Sequence, residues 1–180
     1  MCVLVLEPAT LFEIYHFEDT VVQSEGRLPN AAWQYGEDAD LRLVRPSTAL
    51  GPNTTTDGKQ YVFEFASEDS KDGFWQDICE FYEAGATYSF SVSLGLGQFI
   101  SYNSIVALEF RTTDNVPIAV RSLLGVSLPE EAFVERSVTH QVPMDASYVD
   151  EGIRVGLRFS GTGFSPAIDD VHVCMTAEPT

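Results

Sequence analysis

Basic residues are scarce in this sequence. Ten lysines and arginines stand against 27 aspartates and glutamates, for a formal net charge of −17. Binding a phosphate backbone requires clustered Lys and Arg, so nucleic acid is excluded as a partner. An anionic membrane surface is disfavoured for the same reason. The carboxylate excess suits solubility, a salty habitat or divalent cations. Long apolar runs are also missing. None approaches the roughly 20 residues that span a bilayer, so no membrane partner is expected. The first residues, Met1 to Glu7, carry no positive charge and too short an apolar run for a signal peptide. As written, the chain reads as cytosolic or virion-like, or as one whose leader has been removed.

Cysteine is limited to Cys2, Cys79 and Cys174. The odd count, wide spacing and absence of a CxxC pair exclude a zinc knuckle and a dense disulfide framework. Three free thiols, mostly buried, are expected, although one Cys79–Cys174 bridge also fits the count. His16, His140 and His172 share no metal-ligand spacing. There is no Gly-x-Ser-x-Gly elbow, P-loop or dinucleotide fingerprint, and no pattern for a long helix.

What the sequence does hold is alternation. Within Gly73–Gly97, Tyr88, Phe90, Val92 and Leu94 alternate with Thr87, Ser89, Ser91 and Ser93. That period of two fits a strand and scatters around a helix. Before it, Phe74, Gln76 and Ile78 share one face while Trp75, Asp77 and Cys79 share the other. Glu83-Ala84-Gly85-Ala86 reads as the turn of a hairpin joining the two strands. Further strands are expected at Leu11–Glu18, Leu41–Val44, Tyr61–Phe65 (Tyr61, Phe63 and Phe65 inward), Ile105–Arg111, Ile118–Leu123, Phe133–Val142, Ile153–Phe159 and Ala167–Met175. About ten short strands with turn signals between them predict an all-β fold, an antiparallel two-sheet sandwich, with a closed barrel as the alternative. Residues 1–180 form one domain on the usual size prior.

Three separated pieces carry a family resemblance. They are His16-Phe17-Glu18-Asp19, followed by Trp33 and Gly36; Gly73-Phe74-Trp75-Gln76-Asp77-Ile78, followed by Gly85-Ala86-Thr87-Tyr88-Ser89-Phe90; and Ala167-Ile168-Asp169-Asp170-Val171-His172-Val173. Together they resemble the jelly-roll carbohydrate-binding modules of the galactose-binding-like superfamily. The Stig cyclases, calcium-dependent enzymes of indole alkaloid cyclisation, look like offshoots of the same sandwich and are similar to this chain as well. The opening here is Tyr15-His16-Phe17-Glu18 where those modules carry Asn-Pro-x-Phe-Glu, and Trp75 is an extra bulky residue. The resemblance implies a jelly roll, a secreted or extracellular setting, and a structural calcium ion. That ion would be held by the carboxylates of Glu18 and Asp169, a backbone carbonyl of Lys59 and the backbone of His16. Calcium takes six to eight hard oxygens, often mixing carboxylates with carbonyls. The alternative is that Glu18 and Asp169 cap strand ends in solvent.

Alternation also defines a candidate ligand face. If Phe74, Gln76, Tyr88, Phe90, Tyr61 and Phe63 point to the core, the opposite face displays Val62, Glu64, Trp75, Asp77, Glu109 and Arg111, with Ser89 and Ser91. Trp33 and Tyr102 lie in loop-like stretches that can rim it. An exposed Trp flanked by carboxylates and hydroxyls suits a sugar, whose apolar ring face stacks on the indole while its hydroxyls take the polar groups. The alternatives are a Trp75 covered by a loop and a Trp33 that anchors packing.

Three functions follow. The leading one is a non-catalytic module binding a carbohydrate or small-molecule ligand. The second is a small cyclase like the Stig enzymes, with Glu64 or Asp77 on adjacent strands as general acid near Trp75, and Tyr82 or Tyr102 assisting. The third is a structural or assembly protein, such as a surface or virion component, for which a homo-oligomer is expected.

Overall fold

The computed structural model describes residues 10–11, 25–27, 33–35, 41–44, 46, 52, 55, 61–64, 73–96, 105–129, 132–160 and 166–176. Among them the strands are β1 (Thr10–Leu11), β2 (Glu25–Arg27), β3 (Gln34–Tyr35), β4 (Leu41–Val44), β5 (Tyr61–Glu64), β6 (Gly73–Phe81), β7 (Thr87–Leu96), β8 (Ile105–Thr112), β9 (Pro117–Leu124), β10 (Val134–Gln141), β11 (Gly152–Ser160) and β12 (Pro166–Thr176). One 3-10 turn, Gly125–Ser127, is the only helical element among the described residues. The strands form two antiparallel sheets. The seven-stranded sheet runs β10-β7-β12-β5-β4-β2, with β1 also paired to β12; the five-stranded sheet runs β3-β6-β11-β8-β9. This is the expected sandwich.

The core lies between the sheets and follows the period of two. Tyr88, Phe90, Val92 and Leu94 of β7 are fully buried, as are Val106, Leu108 and Phe110 of β8 and Ile153 and Val155 of β11. Phe110 bridges the layers, meeting the rings of Tyr88 and Phe90 edge-on at 6.4 and 6.2 Å. Burying each such side chain is worth about 1.5–3 kcal/mol, and together they fix which face of every strand turns inward.

The expected hairpin is not formed. β6 and β7 follow each other in sequence but belong to different sheets. The turn at Glu83–Ala86 is therefore a corner between layers. Gly85 takes a positive φ of 79° there, a conformation open to glycine. The corner is tied to the segment after β10 by Gly85 N–H to Val142 O and Val142 N–H to Ala86 O, both 2.9 Å. Alternation requires that each strand bury one face. Pairing side by side and facing across a core both satisfy it, so the pattern alone does not choose.

Register also reverses the face expected for β5. Val62 pairs with Ile168, which pairs with Leu94, and all three belong to the core cluster. Tyr61 therefore sits on the outer side of its sheet, buried against the edge of the Phe133 ring at 5.4 Å. In β12 the inward residues change from even to odd numbers: Ile168, then Val171 and Val173. A bulge between Asp169 and His172, with Asp170 at φ 52°, makes the change. One extra residue resets the parity and keeps the inner face apolar.

Candidate functional site

The outer faces of the two sheets differ. On the seven-stranded sheet the region around Gly95 is covered: a side chain there would meet Pro52 and the Ala132 carbonyl at 2.7 and 2.8 Å. Beneath that cover Asp169 stands opposite Ser93, both buried. On the five-stranded sheet the outer face carries the charged and aromatic residues Trp75, Asp77, Glu109, Arg111, Arg154 and Arg158.

Cross-strand register lays this face out in rows. Gln34, Trp75, Gly156, Glu109 and Val120 are successive neighbours across β3, β6, β11, β8 and β9. The adjoining row is Asp77, Arg154 and Arg111, and on the other side lie Gly73, Arg158 and Ala107. Glycine is required at 73, where a Cβ would fall 1.7 Å from the Leu157 carbonyl oxygen. Gly156 leaves the middle of the face without a side chain. A cleft of about 180 Å³ opens there, lined by Trp75, Glu109, Arg111, Asn115, Gly156 and Arg158 with the backbone of Gly73, Phe74 and Leu157. It suits one ring or end group rather than a drug-sized ligand, whose pockets start at about 300 Å³.

Polar groups hold each wall. Trp75 donates its indole N–H to Gln34 Oε1 at 3.0 Å, and the Arg154 guanidinium lies 5.8 Å from its ring centroid, within cation–π range. Arg154 in turn grips both oxygens of Asp77, at 2.5 and 3.0 Å. Glu109, 3% exposed, sits between two cations: Arg111 Nε bonds its Oε2 at 2.5 Å, and Arg158 Nε lies 3.0 Å from its Oε1. The second approach lacks hydrogen-bond alignment, which leaves Oε1 buried without an aligned donor. Arg111 is held further by Asn115, through its carbonyl at 3.1 Å and Oδ1 at 3.0 Å.

Trp75, Asp77, Glu109 and Arg111 thus come together on one face. Glu64 does not join them. Its strand, β5, belongs to the other sheet, as does β7 with Ser89 and Ser91. Glu64 and Asp77 are not on adjacent strands, and the paired acids pictured for catalysis are not assembled. Asp77 is engaged by Arg154. Trp33 is no rim residue: it is fully buried and packs edge-on against Phe74 at 4.9 Å. Its neighbour Gln34 reaches the face instead. Tyr102 lies outside the described residues. Cys79 is exposed rather than buried, and Cys79 and Cys174 are free thiols.

Of the expected calcium ligands, His16, Glu18 and Lys59 lie outside the described residues. Asp169 is 2% exposed and accepts the Asp170 backbone N–H at 3.0 Å. Beside it the buried Tyr61 hydroxyl has no hydrogen-bond partner among the described residues, and its pKa is pushed up to about 12 by burial and then by the Asp169 charge. Among the described residues no three His, Cys, Asp or Glu side chains cluster as a metal site.

The residues that sequence reading passed over are Gln34, Arg154, Gly156 and Arg158. Arg154, Gly156 and Arg158 are legible as the outward set of β11. Nothing local announces that β11 lies between β6 and β8.

No protein-family model matches the sequence, and no curated protein matches it. Solved structures match the fold. A Stig cyclase, Fisc from Fischerella sp. TAU, in complex with an indole compound, superposes with a TM-score of 0.77 at 14% identity, covering 95% of this chain and 100% of its own. The CBM22-1 xylan-binding domain of Xyn10C from Paenibacillus barcinonensis superposes with a TM-score of 0.57 at 9% identity, covering 95% and 97%. The jelly-roll sandwich is shared with both; at these identities the likeness is one of fold.

Proposed function

We propose that the outer face of the five-stranded sheet binds a carbohydrate unit, or a polar ring of similar size, in the cleft between Trp75 and Glu109. The observation that carries this reading is the bare backbone of Gly156 between the two. It leaves an aromatic wall and a buried carboxylate facing one ring-sized space. A saccharide offers an apolar face to an indole and hydroxyl donors to a carboxylate. The xylan-binding domain that shares the fold supports the ligand class.

A second reading, a cyclase-like enzyme, draws support from the fold shared with Fisc along nearly the whole of both chains. It is the weaker one for this face. The carboxyls that acid catalysis would use there, Asp77 and Glu109, are both engaged by arginines.

Calcium belongs to the proposal as a structural ion. Asp169, a buried carboxylate, is a hard oxygen donor of the kind this ion takes. Glu18, the Lys59 carbonyl and the His16 backbone would complete the set. Bound there, the ion supplies charge neutralisation and a cross-link.

The experiment is a glycan array in millimolar calcium, with Trp75→Ala assayed alongside the wild type. Binding that the variant loses while its melting curve is retained supports the reading. Silence of the wild type across the array overturns it.

A further inference from the structure

We infer that the ligand of this cleft carries a carboxylate, as a uronic acid does, and that Arg158 receives it; this rests on the binding reading above. The chain has only ten basic residues and a net charge of −17. Three of the ten, Arg111, Arg154 and Arg158, nevertheless converge on this one face. Among the described residues two carboxylates, Asp77 and Glu109, stand opposite them on this face, one fewer than the guanidiniums. The pairing identifies which. Arg154 is consumed by a two-point bond to Asp77 and by the Trp75 ring. Arg111 is consumed by Glu109 and twice by Asn115. Arg158 spends only its Nε, in an unaligned approach to Glu109, and its side chain is 54% exposed at the cleft.

A guanidinium fork matches a carboxylate in two-point geometry. Glu109 lies beside the Nε of that fork and leaves its terminal nitrogens to the ligand. The acidic surface does not cancel the effect. Charges beyond about 8 Å are screened at physiological ionic strength, whereas Arg158 would touch the ligand. A uronic acid also carries the hydroxyls that the Trp75 and Glu109 walls require, so one ring satisfies the whole cleft.

The test is titration calorimetry of the full chain with matched probes: tri-galacturonate, its neutral galactose counterpart, and a sulfated galactose trimer. Each is titrated into wild type, Arg158→Gln and Arg158→Lys, with thermal melts confirming that the variants fold. Expected is at least about tenfold tighter binding of the uronate than of the neutral sugar, the order of a charge-assisted hydrogen bond. That preference should vanish in Arg158→Gln and return in part in Arg158→Lys. Equal binding of uronate and neutral sugar overturns the inference and leaves the binding reading standing. A preference for the sulfated probe, or a uronate preference that survives Arg158→Gln, also overturns it. Failure of the wild type to bind any of the three overturns the inference, while the binding reading is decided by the glycan array.

Discussion

Gly156 stands directly opposite Trp75 across the β6–β11 pair. The absence of a side chain at one position is what exposes the aromatic side chain at the other. A Cβ at 156 would meet the Phe74 carbonyl oxygen at 3.0 Å and Trp75 Cβ at 3.1 Å. Gly156→Ala should therefore cost about 1–3 kcal/mol by overpacking and displace the indole. Urea denaturation gives the first quantity and tryptophan fluorescence the second. An alanine variant with wild-type stability and spectrum would mean that the strands part easily and that Gly156 does not shape the cleft.

The two tryptophans should behave oppositely. Trp33 is fully buried against Phe74, and Trp33→Ala should lose about 3–5 kcal/mol. Trp75 makes one side-chain hydrogen bond and one cation–π contact on an outer face. Trp75→Ala should cost about 1–2 kcal/mol while removing ligand binding. Denaturation midpoints of the two variants, measured side by side, check the contrast; similar losses would make Trp75 a packing residue.

His140 provides a pH signature. Its ring lies 2.7 Å from the Tyr148 hydroxyl, and Tyr88 is its cross-strand partner. Burial lowers its pKa below the ordinary value of 6.5. The unfolded chain then binds the proton more readily than the folded one. Stability from this group is complete above about pH 6.5 and is lost as pH falls from there through the folded value. Melting temperatures from pH 7.5 down to 5 should fall more steeply for the wild type than for His140→Gln. Parallel slopes would show that this ring is not responsible.

Calcium is tested by chelation. If Asp169 belongs to an ion site, excess chelator should lower the melting temperature and added calcium should restore it. At an ion concentration a hundredfold above its dissociation constant the difference corresponds to about 2.7 kcal/mol. Asp169→Ala should melt low with or without chelator. A wild-type melt indifferent to chelation removes the ion from the account.

The inward faces of β7, β8 and β11 were legible because their alternation is local, and so was the sandwich. Partnership between strands was not. Ser89 and Ser91 read as companions of Trp75 because β7 follows β6, and Glu64 as a neighbour of Asp77 because β5 precedes it; the corner at Glu83–Ala86 sends β6 and β7 to opposite layers, and β5 belongs to the sheet of β7. Tyr61 and Val62 exchanged faces because a four-residue strand with aromatic residues at alternate positions can bury either side. The Arg154, Gly156 and Arg158 series was visible as a pattern, yet its meaning depended on neighbours more than 40 residues away in β6 and β8.

The pairing of β1 with β12 carries a kinetic consequence. Thr10 lies against Met175 and Leu11 against Cys174, so β1 waits for a strand made more than 150 residues later. Contacts of that separation require loop closure before they return any energy, and such topologies fold in roughly milliseconds to seconds. During that interval the central strand β12 is missing, and both β5 and β7 present bare edges to other chains. The nascent protein is thus most prone to aggregate just before its last described strand arrives, and a high density of negative charge is a direct means of keeping such intermediates apart.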